Sequence, residues 1–100
     1  MKTTKHDLPS LNLSPTEIQV LAGMIDRAYY DLQDYYLGER GKADLGWKYA
    51  SLLFQTASEC RQMAGAMFML GIDQPDRAKW IKLAEMMERI GRREEREAQP

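Results

Sequence analysis

Few residues in this 100-residue chain carry side chains that could act in catalysis near neutral pH. The one histidine, His6, lies in a polar amino-terminal stretch, and the one cysteine, Cys60, has no histidine within its own predicted helix. The sequence therefore offers no nucleophile paired with a histidine base. We expect Cys60 to be a buried and unreactive thiol, because it falls on an apolar helix stripe.

Patterns typical of metal or cofactor sites are missing as well. The chain contains no glycine-rich phosphate loop, no spaced cysteine pair and no Glu-x-x-His motif of the kind that di-iron helical bundles use. Carboxylates one helical turn apart, such as Glu85 and Glu88, are expected to face water. The sequence predicts a protein that is not an enzyme and has no catalytic residues, metal or cofactor.

Composition narrows the class of protein and its location. A net charge of -1 and a pI near 5.8 supply no overall basic field that would gather nucleic acid, so direct nucleic-acid binding is not expected. The single cysteine and the absence of a secretory leader favour the cytoplasm. No apolar run approaches the roughly 20 residues of a membrane span, so no membrane association is expected.

Capping signals and apolar spacing predict three main helices. In LSPTEI, Ser14 is the expected N-cap, Pro15 the first helical residue and Glu17 the capping-box partner of a helix that runs to about Leu37. Gly38 is a suitable left-handed cap for its end. The helix carries an apolar stripe of seven residues, namely Ile18, Leu21, Ala22, Ile25, Tyr29, Leu32 and Tyr36.

The second and third helices follow two predicted turns. Residues 38–44 read as a loop, with Asp44 as a cap for a helix that continues to about Leu70, before Gly71. Asp73 is the expected cap of the third helix. Either Gly91 ends this helix, or Arg and Glu pairs in residues 92–98 prolong it.

Short connections between these helices predict an all-α fold, a small antiparallel bundle with an N-terminal arm (1–13), a helical domain (14–91) and a charged tail (92–100). The middle helix is apolar on two faces, so we expect Trp47, Phe54 and Phe68 to be core residues. Arg61 lies in line with these rings, and it either pairs with an acid across the bundle or marks where the face meets solvent.

The stretch RAYYDLQDYY contains four of the five tyrosines of the chain. On a helical wheel, Tyr29 and Tyr36 point towards the core, Tyr35 lies at the boundary, and Tyr30 points about 120 degrees away from the core. The residues predicted to surround Tyr30 on the outer side are Asp26, Asp31, Gln33, Asp34 and Tyr35. We take these six residues as a candidate partner-binding site, since an exposed tyrosine among charges is typical of interface hot spots.

Negative charge is concentrated on the first helix, where four carboxylates face one arginine. Carboxylates one or two turns apart lie roughly 6 to 12 Å from one another, comparable to the spacing of charges along a nucleic-acid backbone. Such a face is suited to a basic groove on a protein partner. The alternative is an ordinary solvated face that carries one exposed tyrosine.

Two resemblances to known families accompany these patterns. LSPTEIQVLAGMI, residues 13–25, resembles the opening of the LuxR-type helix-turn-helix, but no short turn and recognition helix follow it. The overall make-up, a small single domain with an acidic interaction face and no active site, resembles the phage-encoded anti-CRISPR proteins. That resemblance implies an inhibitor that binds a basic surface of a CRISPR surveillance complex and blocks its binding to target DNA.

The sequence thus predicts a non-enzymatic protein-binding inhibitor that uses the acidic, tyrosine-containing helix face. Two alternatives stay open. One is a small nucleic-acid-binding transcriptional regulator that uses Lys2, Lys5 and the arginines of the tail. The other is a structural subunit that self-associates through the second apolar face of the middle helix. The oligomeric state is open in each case.

Overall fold

A computed structural model describes residues 13–72 and 74–98 of the chain. Its elements are α1 (Pro15–Leu37), α2 (Glu39–Leu45), a 3-10 turn (Gly46–Lys48), α3 (Tyr49–Leu70) and α4 (Gln74–Ala98). Within these residues every regular element is helical, which confirms the predicted all-α fold. The expectations for the arm residues 1–12, for His6 and for capping by Asp73 lie outside the described residues.

The start of α1 is set by the predicted capping box. The Ser14 hydroxyl accepts a hydrogen bond from the Glu17 N–H at 3.1 Å, and the Glu17 carboxylate accepts one from the Ser14 N–H at 2.8 Å. These two bonds satisfy N–H groups that have no partner inside the helix. The bonds to Ser14 hold the pKa of Glu17 below its usual value. The helix ends at Leu37, as predicted.

The prediction of a loop over residues 38–44 is wrong, because α2 occupies most of it. Gly38 has extended backbone angles (φ -89°, ψ 179°) rather than a left-handed conformation, and Asp44 lies inside α2 rather than at a cap. Gly41 allows this short helix to lie directly on α1. A Cβ at Gly41 would lie 2.5 Å from the carbonyl oxygen of Tyr35, so only glycine lets α2 pack this closely on α1.

The boundaries of α3 and α4 agree with the sequence in part. The middle helix begins at Tyr49, four residues later than predicted, because Gly46 has a positive φ of 55° and a 3-10 turn intervenes. It ends as predicted at Gly71, whose left-handed conformation (φ 75°) lets its N–H reach the last turn. The last helix passes through Gly91 to Ala98, which is the longer of the two predicted alternatives.

Most of the core lies between α3 and α4. The buried residues of α3 recur at intervals of three and four, and so do those of α4, which is the spacing that aligns a seam between two helices. The seam consists of Leu53, Ala57, Cys60, Ala64 and Met67 from α3 with Trp80, Leu83, Ala84 and Met87 from α4. Its alanines allow the two helix backbones to approach one another closely.

Two contacts show that α3 and α4 are antiparallel. Arg61 donates two hydrogen bonds to the Glu88 carboxylate, at 3.1 and 2.9 Å, while Phe54, seven residues earlier, lies against Gly91. The pairing of Arg61 with an acid across the bundle is one of its two predicted roles. Glu88 was expected to face water, but its side chain is 27% exposed and bound to Arg61.

The first helix packs against α4 and against the short α2. Across α1, all of which is described, Ile25 alone is buried, while its other core-facing residues, including Tyr29 and Tyr36, are half-buried against the core. The buried Tyr49 at the start of α3 donates a hydrogen bond to the Tyr36 carbonyl at 2.5 Å. Lys42 of α2 is bound to Glu94 of α4 at 2.9 Å.

The prediction that Trp47 and Phe68 are core residues is wrong. Trp47 is 88% exposed and Phe68 is 64% exposed, whereas Phe54 is half-buried. Trp47 belongs to the 3-10 turn, so the helical wheel of α3 does not describe its direction. Phe68 lies in the last turn of α3, where the Arg77 guanidinium packs 5.0 Å from its ring centre.

Candidate protein-binding surface

The six residues predicted as a partner-binding site lie along the outer side of α1, and we call them the tyrosine face: Asp26, Tyr30, Asp31, Gln33, Asp34 and Tyr35. The structure leaves Tyr30 51% exposed, which confirms its predicted outward direction. Asp31 and Asp34 are exposed as well, while the other three residues are half-buried. The face therefore presents one ring and two carboxylates to solvent.

The amino-terminal end of the tyrosine face is bound to α4. Lys79 donates a hydrogen bond to the Asp26 carboxylate, and its ammonium group lies 4.8 Å from the ring centre of Tyr29 and 4.9 Å from that of Tyr30. A cation over two aromatic faces and beside a carboxylate is attracted by both. Asp26 thus helps to hold α1 on α4, and its charge is balanced within the chain.

The other end of the tyrosine face borders an open depression of about 370 Å³. Its walls are formed by Asp31, Asp34, Tyr35 and Arg40, so the end of α1 and the first turn of α2 build it together. The extended backbone at Gly38 turns the chain between the two helices. As a result, Arg40 comes to lie with its guanidinium 5.8 Å from the ring centre of Tyr35.

Asp44 contacts two of the residues that line this depression, Tyr35 and Arg40. Its carboxylate accepts a hydrogen bond from the Tyr35 hydroxyl at 3.4 Å and lies 3.8 Å from the Arg40 guanidinium. Burial of the ring raises the pKa of Tyr35, and the negative charge of Asp44 raises it further. The hydroxyl of Tyr35 therefore stays protonated at neutral pH and serves as a hydrogen-bond donor.

Sequence reasoning missed three residues of this surface, namely Lys79, Arg40 and Asp44. The i, i+4 spacing of Arg40 and Asp44 is a usable signal for a helical pair, but residues 38–44 had been assigned to a loop. Nothing in the sequence pairs Lys79 with Asp26, since 53 positions separate them. The contact depends on how α4 packs against α1.

The structure also shows the surroundings of Cys60 and of the side chains that could bind a metal ion. Cys60 is buried, as predicted, and burial raises the pKa of its thiol to about 11, with a smaller contribution from the charge of Glu59. Its thiolate is therefore scarce at neutral pH. Within residues 13–72 and 74–98, no three His, Cys, Asp or Glu side chains lie close enough together to hold a metal ion.

Two further findings concern membrane-spanning helices and known proteins. Among the helices of the described residues, none combines the length and the apolar content that crossing a bilayer requires. Comparisons with protein-family models, with curated proteins and with solved structures found no match to the chain.

Proposed function

We propose that this protein is a non-enzymatic inhibitor that binds a basic, nucleic-acid-binding surface of a partner complex through its tyrosine face. The partner class follows from the resemblance in size and make-up to anti-CRISPR proteins, and a CRISPR surveillance complex is the specific candidate. Binding there blocks access of target DNA. The observation that carries the proposal is the depression beside Asp31 and Asp34.

The depression supports a cationic side chain of the partner as its occupant. Two exposed carboxylates and one tyrosine ring line it, and these are groups that attract an arginine or lysine. Arg40, whose own side chain is 80% exposed, already lies over the Tyr35 ring as an internal cation. A partner cation would replace Arg40 there at low cost, because an exposed ion pair contributes only about 0 to 1 kcal/mol.

Exposure and charge explain how the face would compete with nucleic acid. Asp31 and Asp34 are one helical turn apart and free of the contacts that hold Asp26 to α4, so their charges are available to a basic groove. Opposite charges accelerate the encounter, and the exposed ring of Tyr30 then provides an anchor that can be buried. The electrostatic encounter and the burial of Tyr30 both take place in the partner's basic groove, which would otherwise hold DNA phosphates.

The test compares two charge-reversal variants of the full chain. Asp31→Lys with Asp34→Lys changes the tyrosine face, whereas Glu59→Lys with Glu85→Lys makes the same change in net charge at exposed positions of α3 and α4. Each protein is used as bait in a nuclease-treated bacterial lysate. A complex that is recovered is then assayed for binding to its target DNA with and without the three proteins.

Under the proposal, the wild type and the α3/α4 variant recover the same nucleic-acid-handling complex and inhibit its DNA binding. The tyrosine-face variant binds about tenfold more weakly or worse, because like charges are brought together at the interface. Recovery of the complex by all three baits with equal inhibition would place the interface elsewhere. Failure of the wild type to bind or inhibit any such complex would refute the function itself.

A further inference from the structure

A second aromatic surface lies between α2 and α3, apart from the tyrosine face. Trp47 projects from the 3-10 turn with 88% of its side chain exposed, in contrast to Trp80, which is 2% exposed in the core. Gly46, with a φ of 55°, makes the turn that holds Trp47 away from α3. Exposed tryptophans are costly to leave in water and are enriched among interface hot spots.

Trp47 forms one wall of an open depression of about 380 Å³. The remaining walls come from Gly46, the first turn of α3 and the last turns of α4, with Glu94 and Glu95 as the charged lining residues. The lining also includes Tyr49, Ala50, Ser51 and Ala98. The depression thus combines an indole face with carboxylates that come from a different helix.

The two carboxylates are not equivalent. Glu94 is bound to Lys42 at 2.9 Å and its side chain is 16% exposed, so its charge is already balanced by α2. The side chain of Glu95 is exposed at the rim. A cation that enters the depression would therefore meet the carboxylate of Glu95 and the ring of Trp47.

The chain itself shows that the indole ring accepts a cation. The ammonium group of Lys48 lies 5.4 Å from the ring centre of Trp47, within the range of a cation–π interaction. Lys48 is exposed and adjacent in sequence, so it can move away without disturbing the fold. A cation from another protein can then take the place of Lys48 over the Trp47 ring.

We propose that the Trp47 depression binds an arginine or lysine side chain from a basic segment of a partner protein. The ring of Trp47 supplies the cation–π surface and Glu95 supplies the counter-charge. This site shares no residue with the tyrosine face and does not depend on the function proposed above.

The test is an NMR titration of the ¹⁵N-labelled full chain. The probe is a short peptide with three arginines separated by glycines, and its control is the same peptide with citrulline, which keeps the shape but has no charge. We expect the indole resonance of Trp47 to shift with the arginine peptide and not with the citrulline peptide. The indole resonance of the buried Trp80 serves as the internal reference.

Four variants test which residues bind the arginine peptide, and their affinities are read from the backbone amides of Ser51 and Ala98, which line the depression and are unchanged in every variant. Glu95→Gln should weaken binding roughly twofold to fivefold, and Trp47→Ala roughly threefold to thirtyfold. Phe68→Ala, which removes an exposed ring at the other end of α3, should leave the affinity unchanged. The double change Asp31→Asn and Asp34→Asn should also leave it unchanged, since it alters only the tyrosine face.

Three outcomes would overturn the proposal. One is an equal shift with both peptides, and another is full affinity in the Glu95→Gln and Trp47→Ala variants. The third is a Trp47 shift that depends on protein concentration without any peptide, because the surface would then be an interface between copies of the chain.

Discussion

The two sides of the molecule are built in different ways. Between α3 and α4, buried residues continue from Leu53 to Met67 on one helix and from Trp80 to Met87 on the other, with alanines in the seam. On the other side, α1 is of similar length, but Ile25 is its one buried residue. Its contacts with α4 include the Asp26–Lys79 pair and the ring of Tyr29 against Trp80.

Because of this difference, the α3–α4 side contributes mainly to stability, and the α1 side offers groups for interaction. Close packing of small and large apolar groups removes the most surface from water, so the α3–α4 pair should supply most of the folding free energy. Half-buried aromatic rings and ion pairs stabilise less, but they leave polar groups and ring edges at the surface. Of the three long helices, the one with the fewest buried residues is therefore the one that presents the tyrosine face.

The largest expected effect comes from replacing a leucine by alanine, and we compare this substitution on the two sides of the molecule. Leu53→Ala should lower the free energy of unfolding by about 2 to 5 kcal/mol, because Leu53 is completely buried and its removal leaves a cavity. Leu21→Ala, in α1, should cost about 1 to 2 kcal/mol, since Leu21 is half-buried and water can fill the space. Urea denaturation measures both values. Equal losses would show that α1 is as tightly packed as the α3–α4 pair.

A second pair of variants tests how closely α3 and α4 approach. A Cβ at Gly91 would lie 3.0 to 3.3 Å from three atoms of the Phe54 ring, so Gly91→Leu should destabilise the protein by about 1 to 3 kcal/mol through overpacking. A Cβ at Gly65 of α3 has no such neighbour within 4 Å. Gly65→Leu should therefore stabilise by roughly 0.5 to 1 kcal/mol through helix propensity alone.

Thermal unfolding distinguishes these two variants, because the melting temperature should fall for Gly91→Leu and rise for Gly65→Leu. A rise in both would mean that Phe54 can move away and that the contact at Gly91 does not limit the distance between the helices.

The smallest expected effect concerns the Arg61–Glu88 pair across the same helices. The hydrogen bonds from Arg61 lower the pKa of Glu88, so the pair stabilises the folded chain above the usual glutamate pKa of about 4.3. This contribution is lost as the pH falls through the lower folded value. Glu88→Gln should therefore be about 0.5 to 1 kcal/mol less stable at pH 7, and the difference should vanish in acid.

Melting temperatures of the wild type and Glu88→Gln between pH 7 and pH 2 measure this dependence. Glu85→Gln, which changes an exposed glutamate one turn earlier, is the matched control and should follow the wild type. A constant difference between wild type and Glu88→Gln at all pH values would show that the loss is one of packing rather than charge.

Local signals predicted the parts of the fold that depend on neighbouring residues. The capping box at Ser14 and Glu17 and the left-handed Gly71 involve contacts within four residues, so the start of α1 and the end of α3 were predicted correctly. The position of Cys60 on an apolar helix stripe placed that thiol in the core. The outward direction of Tyr30 followed from the same helical period.

The errors arose where a contact between distant residues decides the conformation. Residues 39–45 form α2, which lies directly on α1 because Gly41 has no Cβ to meet the backbone of Tyr35, and no periodicity within seven residues reveals that contact. Trp47 and Phe68 were assigned to the core by their seven-residue spacing with Phe54. In the described structure only Phe54 is half-buried there, because it faces the glycine of α4.

The sequence by itself determined the three long helices, the cap at Ser14, the end of α3 at Gly71 and the acidic side of α1, because these properties follow from the helical period and from residues within one or two turns of one another. Only the tertiary structure decided which charges on that side are free. Lys79 comes from α4 to pair with Asp26, and α2 brings Arg40 beside Tyr35, Asp31 and Asp34. Such pairings depend on how the helices pack, and a one-dimensional pattern does not contain that information.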